Sequence, residues 1–261
     1  MAIALVTGAS AGLGLEFAWQ LASARHDLVL VARNVERLEK IADQIRSVAG
    51  VTVEVLPADL SVRTDVEVVA ERLRDADRPV GLLINNAGYA VHKSFLNSDI
   101  ADQEASVAVM VNTVMVLSHA AANAMVARGR GAILNVSSVA ALTASGTYSA
   151  AKAWVKTFTE GLAVDLKGSG VTATALCPGF VHTEFHERAG IDYSSFPEFA
   201  WLNADEVVSA ALADVRRGAV ISTPSLRYQV VSNVLRSLPR AAVRGLQAGG
   251  KAGKIGSAKE N

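Results

Sequence analysis

Short apolar, β-branched runs alternate with helix-length amphipathic segments along the first 222 residues of the chain. Alternation of this kind builds βαβ units, in which parallel strands form one sheet and helices cover both of its faces. The predicted strands are residues 3–6, 28–31, 51–55, 81–84, 133–136, 172–176 and 219–222. Predicted helices span residues 14–24, 35–49, 63–74, 103–127, 148–166 and 204–216. Several of the strands are apolar throughout, as burial on both faces demands. The expectation is a doubly wound α/β fold with a seven-stranded parallel sheet, formed by a single domain over residues 1–248.

Composition narrows the partners. Hydrophobic residues make up 51% of the chain, enough for a sizeable core. Basic and acidic residues balance at 25 each, so no net field recommends nucleic acid, and small molecules are the expected partners. The lone Cys177 excludes an internal disulfide and a cysteine-rich zinc site, which suits a reducing, cytoplasmic setting. The first residues lack the basic stretch and the long apolar run of a signal peptide and read as a strand.

The first strand runs straight into Thr7-Gly8-Ala9-Ser10-Ala11-Gly12-Leu13-Gly14 and then a helix. Backbone that approaches a pyrophosphate tolerates no side chain, and the helix start presents unpaired N–H groups to the anion. The spacing is Gly-x-x-x-Gly-x-Gly rather than Gly-x-Gly-x-x-Gly. Gly8, Ser10, Gly12, Leu13 and Gly14 are the candidate cofactor-binding residues of this turn. The second strand ends in Ala32-Arg33-Asn34, where dinucleotide folds place the residue that meets the adenosine ribose. An acid there would accept hydrogen bonds from NAD, whereas Arg33 offers a guanidinium to a 2′-phosphate. NADP(H) is therefore favoured over NAD(H).

Tyr148 and Lys152 stand four apart at the opening of a helix, on one face and one turn from each other. A phenol is protonated at neutral pH, and a neighbouring cation favours the phenolate, so the pair is suited to acid/base work.

Thr7-Gly8-x-x-x-Gly12-x-Gly14, Asn85-Asn86-Ala87-Gly88, Ser137-Ser138, Tyr148-x-x-x-Lys152 and Pro178-Gly179 follow one another in the order of the short-chain dehydrogenases/reductases. The chain resembles that family over about residues 1–222. The resemblance implies a Rossmann-type fold and catalysis by Asn112, Ser138, Tyr148 and Lys152. In the family the serine bonds the substrate oxygen and the tyrosine exchanges the proton. Its lysine also holds the nicotinamide ribose, and the asparagine completes a relay through water. Ser137 is the weaker match for the serine. The resemblance also implies cofactor contacts from Asp59 and Leu60 at the adenine, from Asn86, Ala87 and Gly88 beside its ribose, and from Val181 and Thr183 at the carboxamide. Tyr148 and Lys152 join these. Ser138 and Tyr148 are ten residues apart, closer than is usual in the family, so the loop bordering the substrate cleft is short.

The implied activity is NADP(H)-dependent interconversion of an alcohol and a ketone or aldehyde, with no metal and with assembly as a homodimer or homotetramer. A non-catalytic NADP(H) sensor is the alternative. Residues 178–201 lack periodicity and are rich in aromatics, marking a substrate lid over about 179–203. Those aromatics either line a pocket for a bulky, lipophilic substrate or pin the loop to the core. His182 and His186 do not follow a His-Glu-x-x-His pattern, so no metal site is expected. Residues 226–247 place arginines among Val and Leu and read as a solvated helix in preference to a membrane or subunit contact. Residues 249–261 read as a disordered tail.

Overall fold

A computed structural model of the chain describes residues 2–91, 93–184 and 197–249. The chain begins β1 (Ile3–Thr7), α1 (Gly12–Ser23), β2 (Asp27–Ala32), α2 (Val35–Ala49), β3 (Val53–Pro57), α3 (Arg63–Arg74) and β4 (Val80–Asn85). It continues through α4 (Ile100–Val107), α5 (Thr113–Ala127), β5 (Gly131–Val136), α6 (Gly146–Asp165) and β6 (Val171–Leu176). A short pair, β7 (Phe180–Val181) and β8 (Trp201–Leu202), precedes α7 (Ala204–Arg216) and β9 (Ile221–Ser222). Helices α8 (Leu226–Ser237) and α9 (Arg240–Gly249) follow.

Seven strands form one parallel sheet in the order β3-β2-β1-β4-β5-β6-β9. Chain order therefore reverses between β1 and β4, and doubly wound sheets bind ligands in the crevice that such a reversal opens beyond the strands' carboxyl ends. Leu28 to Val31 are all buried, which explains why this run of β2 is apolar at every position. One face of the sheet packs Phe17, Leu38, Ile45 and Val208 from α1, α2 and α7. The other packs Val66, Leu117 and Met125 from α3 and α5. Helix α2 shows the local logic: Asn34 accepts from the Arg37 N–H at 2.8 Å, and Gly50 ends the helix in the left-handed region.

Several boundaries differ from the sequence reading. Strand β3 lies two residues beyond the expected 51–55, and β9 keeps only two residues because it pairs only with β6. The helix expected over 103–127 starts at Ile100 and is widened by a π turn over Ala108–Asn112. The stretch read as aperiodic contains β7 and β8, which pair in parallel. Of the expected lid, residues 185–196, with His186, lie outside the described residues, as does the tail beyond 249.

The expectation of one solvated helix over 226–247 is corrected. Two helices form there, Tyr228 and Val243 are buried, and Arg240 donates to the carbonyls of Leu142 and Thr143 at 2.9 and 3.3 Å. Backbone carbonyls nearly a hundred residues away satisfy the guanidinium.

Candidate active site

The glycine turn closes against the segment that follows β4. Buried Thr7 donates its hydroxyl to Ile84 O at 3.3 Å and accepts from the N–H groups of Asn86 and Ala87 at 2.9 and 3.1 Å. The Asn86 amide returns a bond to Thr7 O at 2.9 Å. A Cβ on Gly14 would stand 2.2 Å from Gly8 O and 2.5 Å from Asn86 Nδ2, so any side chain there displaces the turn. Gly8 adopts φ +66°, a second reason for glycine.

Helix α1 starts at Gly12 behind Ala11, which supplies no side-chain cap. Its first N–H groups therefore face the crevice with the positive end of the helix dipole, a cradle that fits a pyrophosphate. Ser10 is half-buried in the same turn, and Leu13 packs its side chain toward the core. Thr183 closes this end: a Cβ on Gly12 would meet Thr183 Cβ at 3.4 Å. Its hydroxyl reaches Val181 O at 3.5 Å, and the Val181 side chain is buried, leaving its backbone for contacts.

At the adenosine end, Arg33 is exposed just past β2. Its charge acts on Asp59, whose carboxyl is held below its ordinary pKa chiefly by hydrogen bonds from the Ser61 hydroxyl and N–H. Arg37 bridges to Glu184 at 2.7 Å, tying α2 to the residue after Thr183. Leu60 has its side chain in the core, and its carbonyl accepts from Thr113 Oγ1 at 2.8 Å. Asn86 likewise spends its side-chain amide on the turn.

Helix α6 carries Tyr148 and Lys152. Thr143 and Ser149 hydroxyls meet at 2.8 Å, and Ser149 Oγ accepts from the Ser145 N–H at 3.1 Å, fixing the first turn on which Tyr148 stands. The short loop before it folds as a 3₁₀ turn, Val139–Leu142, capped by Ser138 Oγ, which accepts from the Ala140 N–H at 3.1 Å. Lys152 is 5% exposed and donates to Val136 O at 2.8 Å. Its ammonium lies 5.7 Å from the Tyr148 ring centre, and a Cβ on Gly88 would come within 3.4 Å of it. Burial lowers the Lys152 pKa to about 8.

Ser137 is spent on structure, donating to Lys152 O at 2.7 Å. Ser138 is half-buried, and its hydroxyl reaches Pro178 O only at 3.5 Å, the outer limit of a hydrogen bond. Re-aiming that O–H costs little. Asn112, at the end of the π turn, is exposed, and its amide makes no hydrogen bond among the described residues.

Beneath the pair lies a network that motif reading does not find. Asn85 donates to Asn135 at 2.9 Å and to Ser118 at 3.2 Å, and Asn135 donates to Thr159 at 3.0 Å. These buried amides lock β4, β5, α5 and α6 together. His182 pairs with Glu198 at 3.1 Å and stacks on Trp201. Burial raises the Cys177 thiol pKa, in keeping with an inert core residue.

Residues 2–193 match the short chain dehydrogenase family model. Sulfoacetaldehyde reductase 2 of Chromohalobacter salexigens is 36% identical over 190 residues, which cover 70% of this chain and 74% of that protein. A short-chain dehydrogenase from Sphingobium yanoikuyae, solved in complex with NADPH, superposes with a TM-score of 0.84 at 35% identity, covering 100% of this chain and 99% of that one. The bulky-bulky ketone specific alcohol dehydrogenase from Comamonas testosteroni superposes with a TM-score of 0.80 at 30% identity, over 100% and 97% of the two chains. The chain belongs to the short-chain dehydrogenase/reductase family and is an oxidoreductase that acts on CH–OH groups of small molecules with a nicotinamide cofactor.

Proposed function

We propose that the protein uses NADP(H) to interconvert a secondary alcohol and a bulky, lipophilic ketone, with Tyr148 as general acid/base. The observation that carries this reading is the buried Lys152 beside Tyr148, packed on Gly88 in the crevice that the glycine turn opens. The bound nicotinamide supplies or accepts the hydride.

The chain's own residues do the rest. Gly8, Gly12 and Gly14 seat the pyrophosphate, and Asp59 and the backbone from Leu60 frame the adenine. Ala87 and Gly88 run beside its ribose, while Lys152 holds the nicotinamide ribose and favours the phenolate of Tyr148 by its charge. The Val181 backbone and Thr183 hold the carboxamide. Tyr148 O–H delivers its proton to the carbonyl oxygen in reduction and takes it back in oxidation, while Ser138 donates a hydrogen bond to the same oxygen. Asn112, exposed at the π turn, passes the proton on through water.

Arg33 supports the choice of NADP(H), as does the NADPH bound to the Sphingobium relative. For the substrate class, support comes from the ketone preference of the Comamonas relative and from the aromatic cluster of Phe180, Trp201 and His182 next to Thr183, with Phe180 and Trp201 ring centres 5.7 Å apart. Subunit contacts are assigned to α5 and α6, where Met115, Val126 and Val164 are exposed.

The test is to follow NADPH absorbance with a panel of ketones of increasing bulk. Arg33→Asp should lower the NADPH-over-NADH ratio of kcat/KM by about 10 to 100-fold, the worth of one or two charge-assisted hydrogen bonds. NADPH binding without reduction of any carbonyl or oxidation of any alcohol defeats the reading. An unaltered cofactor ratio in the variant defeats the phosphate contact.

A further inference from the structure

The chain leaves β6 through Pro178 and Gly179, enters β7, and returns to pair with it at β8, with Phe180 opposite Trp201 and Val181 opposite Leu202. A two-residue pair of strands has little stability of its own. One side chain from outside joins both strand starts. Tyr228 of α8, 8% exposed, accepts from the Phe180 N–H at 3.2 Å and donates its hydroxyl to Ala200 O at 2.6 Å. Its ring lies where a Cβ on Gly179 would be, 2.0 Å from the nearest ring carbon, so only glycine admits it. Burial raises the phenol's pKa, which keeps the donor proton in place. The preceding residue, Arg227, donates to Phe199 O beside it.

What Tyr228 clasps leads directly to the site. His182 N–H donates to Leu202 O at 3.0 Å, extending the pairing by one bond, and Thr183 then lies against Gly12. Along the same pair His182 stacks on Trp201, and Phe180 meets Trp201 at a tilt. We infer that Tyr228 is a positioning residue: it fixes β7 against β8 at the end of β6 and so sets where Val181, Thr183 and the aromatic cluster stand relative to the glycine turn. The inference rests on the function proposed above for what those residues contact. It also gives α8 a task, holding the β7–β8 pair from a segment remote in sequence.

Tyr228→Phe keeps the ring on Gly179 and removes both hydrogen bonds, and Gly179→Ala displaces the ring. In each variant hydrogen exchange at Phe180 and His182 should quicken about tenfold, the worth of a hydrogen bond of ordinary strength, with exchange in β1 and β4 unchanged. KM for the ketone should rise about five- to tenfold and the Kd for NADPH less, by about two- to fivefold, because Val181 and Thr183 shift while the glycines of the pyrophosphate cradle stay in place. A fall in kcat alone, as loss of active protein gives, overturns the inference, as does unchanged exchange or faster exchange with unchanged KM.

Should the wild type reduce no carbonyl, the proposed function fails, and the positioning role is then read from exchange alone. NADPH should protect residues 181–184 in the wild type and protect them less in Tyr228→Phe; equal protection in the two overturns it.

Discussion

Tyr148→Phe should lower kcat for carbonyl reduction by about 10³-fold, within the range for loss of a positioned acid/base, and leave the Kd for NADPH within about twofold. The change removes one oxygen from a half-buried ring in the third residue of α6. The ring itself remains beside the Lys152 ammonium, 5.7 Å from its centre, so the cation keeps its aromatic neighbour. The contact between the Thr143 and Ser149 hydroxyls and the bond from the Ser145 N–H to Ser149 Oγ hold the first turn of the helix without the phenol. Melting should therefore shift little, and the loss should fall on the chemical step. Single-turnover measurement with NADPH and a ketone reads that step directly. Turnover within threefold of wild type, a margin of less than 1 kcal/mol, excludes Tyr148 as the proton donor.

Much of this arrangement was legible in the sequence, and what was not shares a physical cause. Strands buried on both faces announce themselves by unbroken apolar runs where polar residues do not intervene, and Leu28 to Val31 is the clear case. The glycines were readable because no other residue survives the contact that a Cβ on Gly14 makes. The π turn at Ala108–Asn112 was not, since one widened turn hardly disturbs the apolar period on either side. Asn86 shows a second limit. An amide after a strand has the same sequence signature whether or not it holds a neighbouring turn, and here it bonds the carbonyl of Thr7. Leu60 repeats the point, since the backbone near a cofactor and a side chain in the core belong to one residue. Contacts of Tyr228 and Arg240 leave no pattern at all, because their partners are backbone groups 28 to 98 residues distant. Any residue type supplies a carbonyl.

Lys152→Met should abolish most turnover, by at least about 10²-fold, and change how stability depends on pH. The lysine is buried, and desolvation lowers its pKa from the ordinary 10.5 to about 8 in the folded protein. Below pH 8 both folded and unfolded chains carry the proton, and the fold bears the whole cost of a buried ammonium. Between about 8 and 10.5 the folded protein has released a proton that the unfolded chain still binds, so wild-type stability rises with pH across that window. The gain relative to Lys152→Met should reach about 3 kcal/mol by pH 10.5. Met fills a similar volume without a charge. It also leaves Val136 O without its donor, a constant penalty of about 1 kcal/mol or more that shifts the variant's curve without tilting it. Groups remote from Lys152 titrate alike in both proteins and cancel in the difference. Urea unfolding of the pair at pH 7, 9 and 10.5 measures it. Parallel curves would mean that the ammonium is solvated in the native state, and with that the dry contact between Lys152, Gly88 and Tyr148, on which the proton chemistry depends, would be lost.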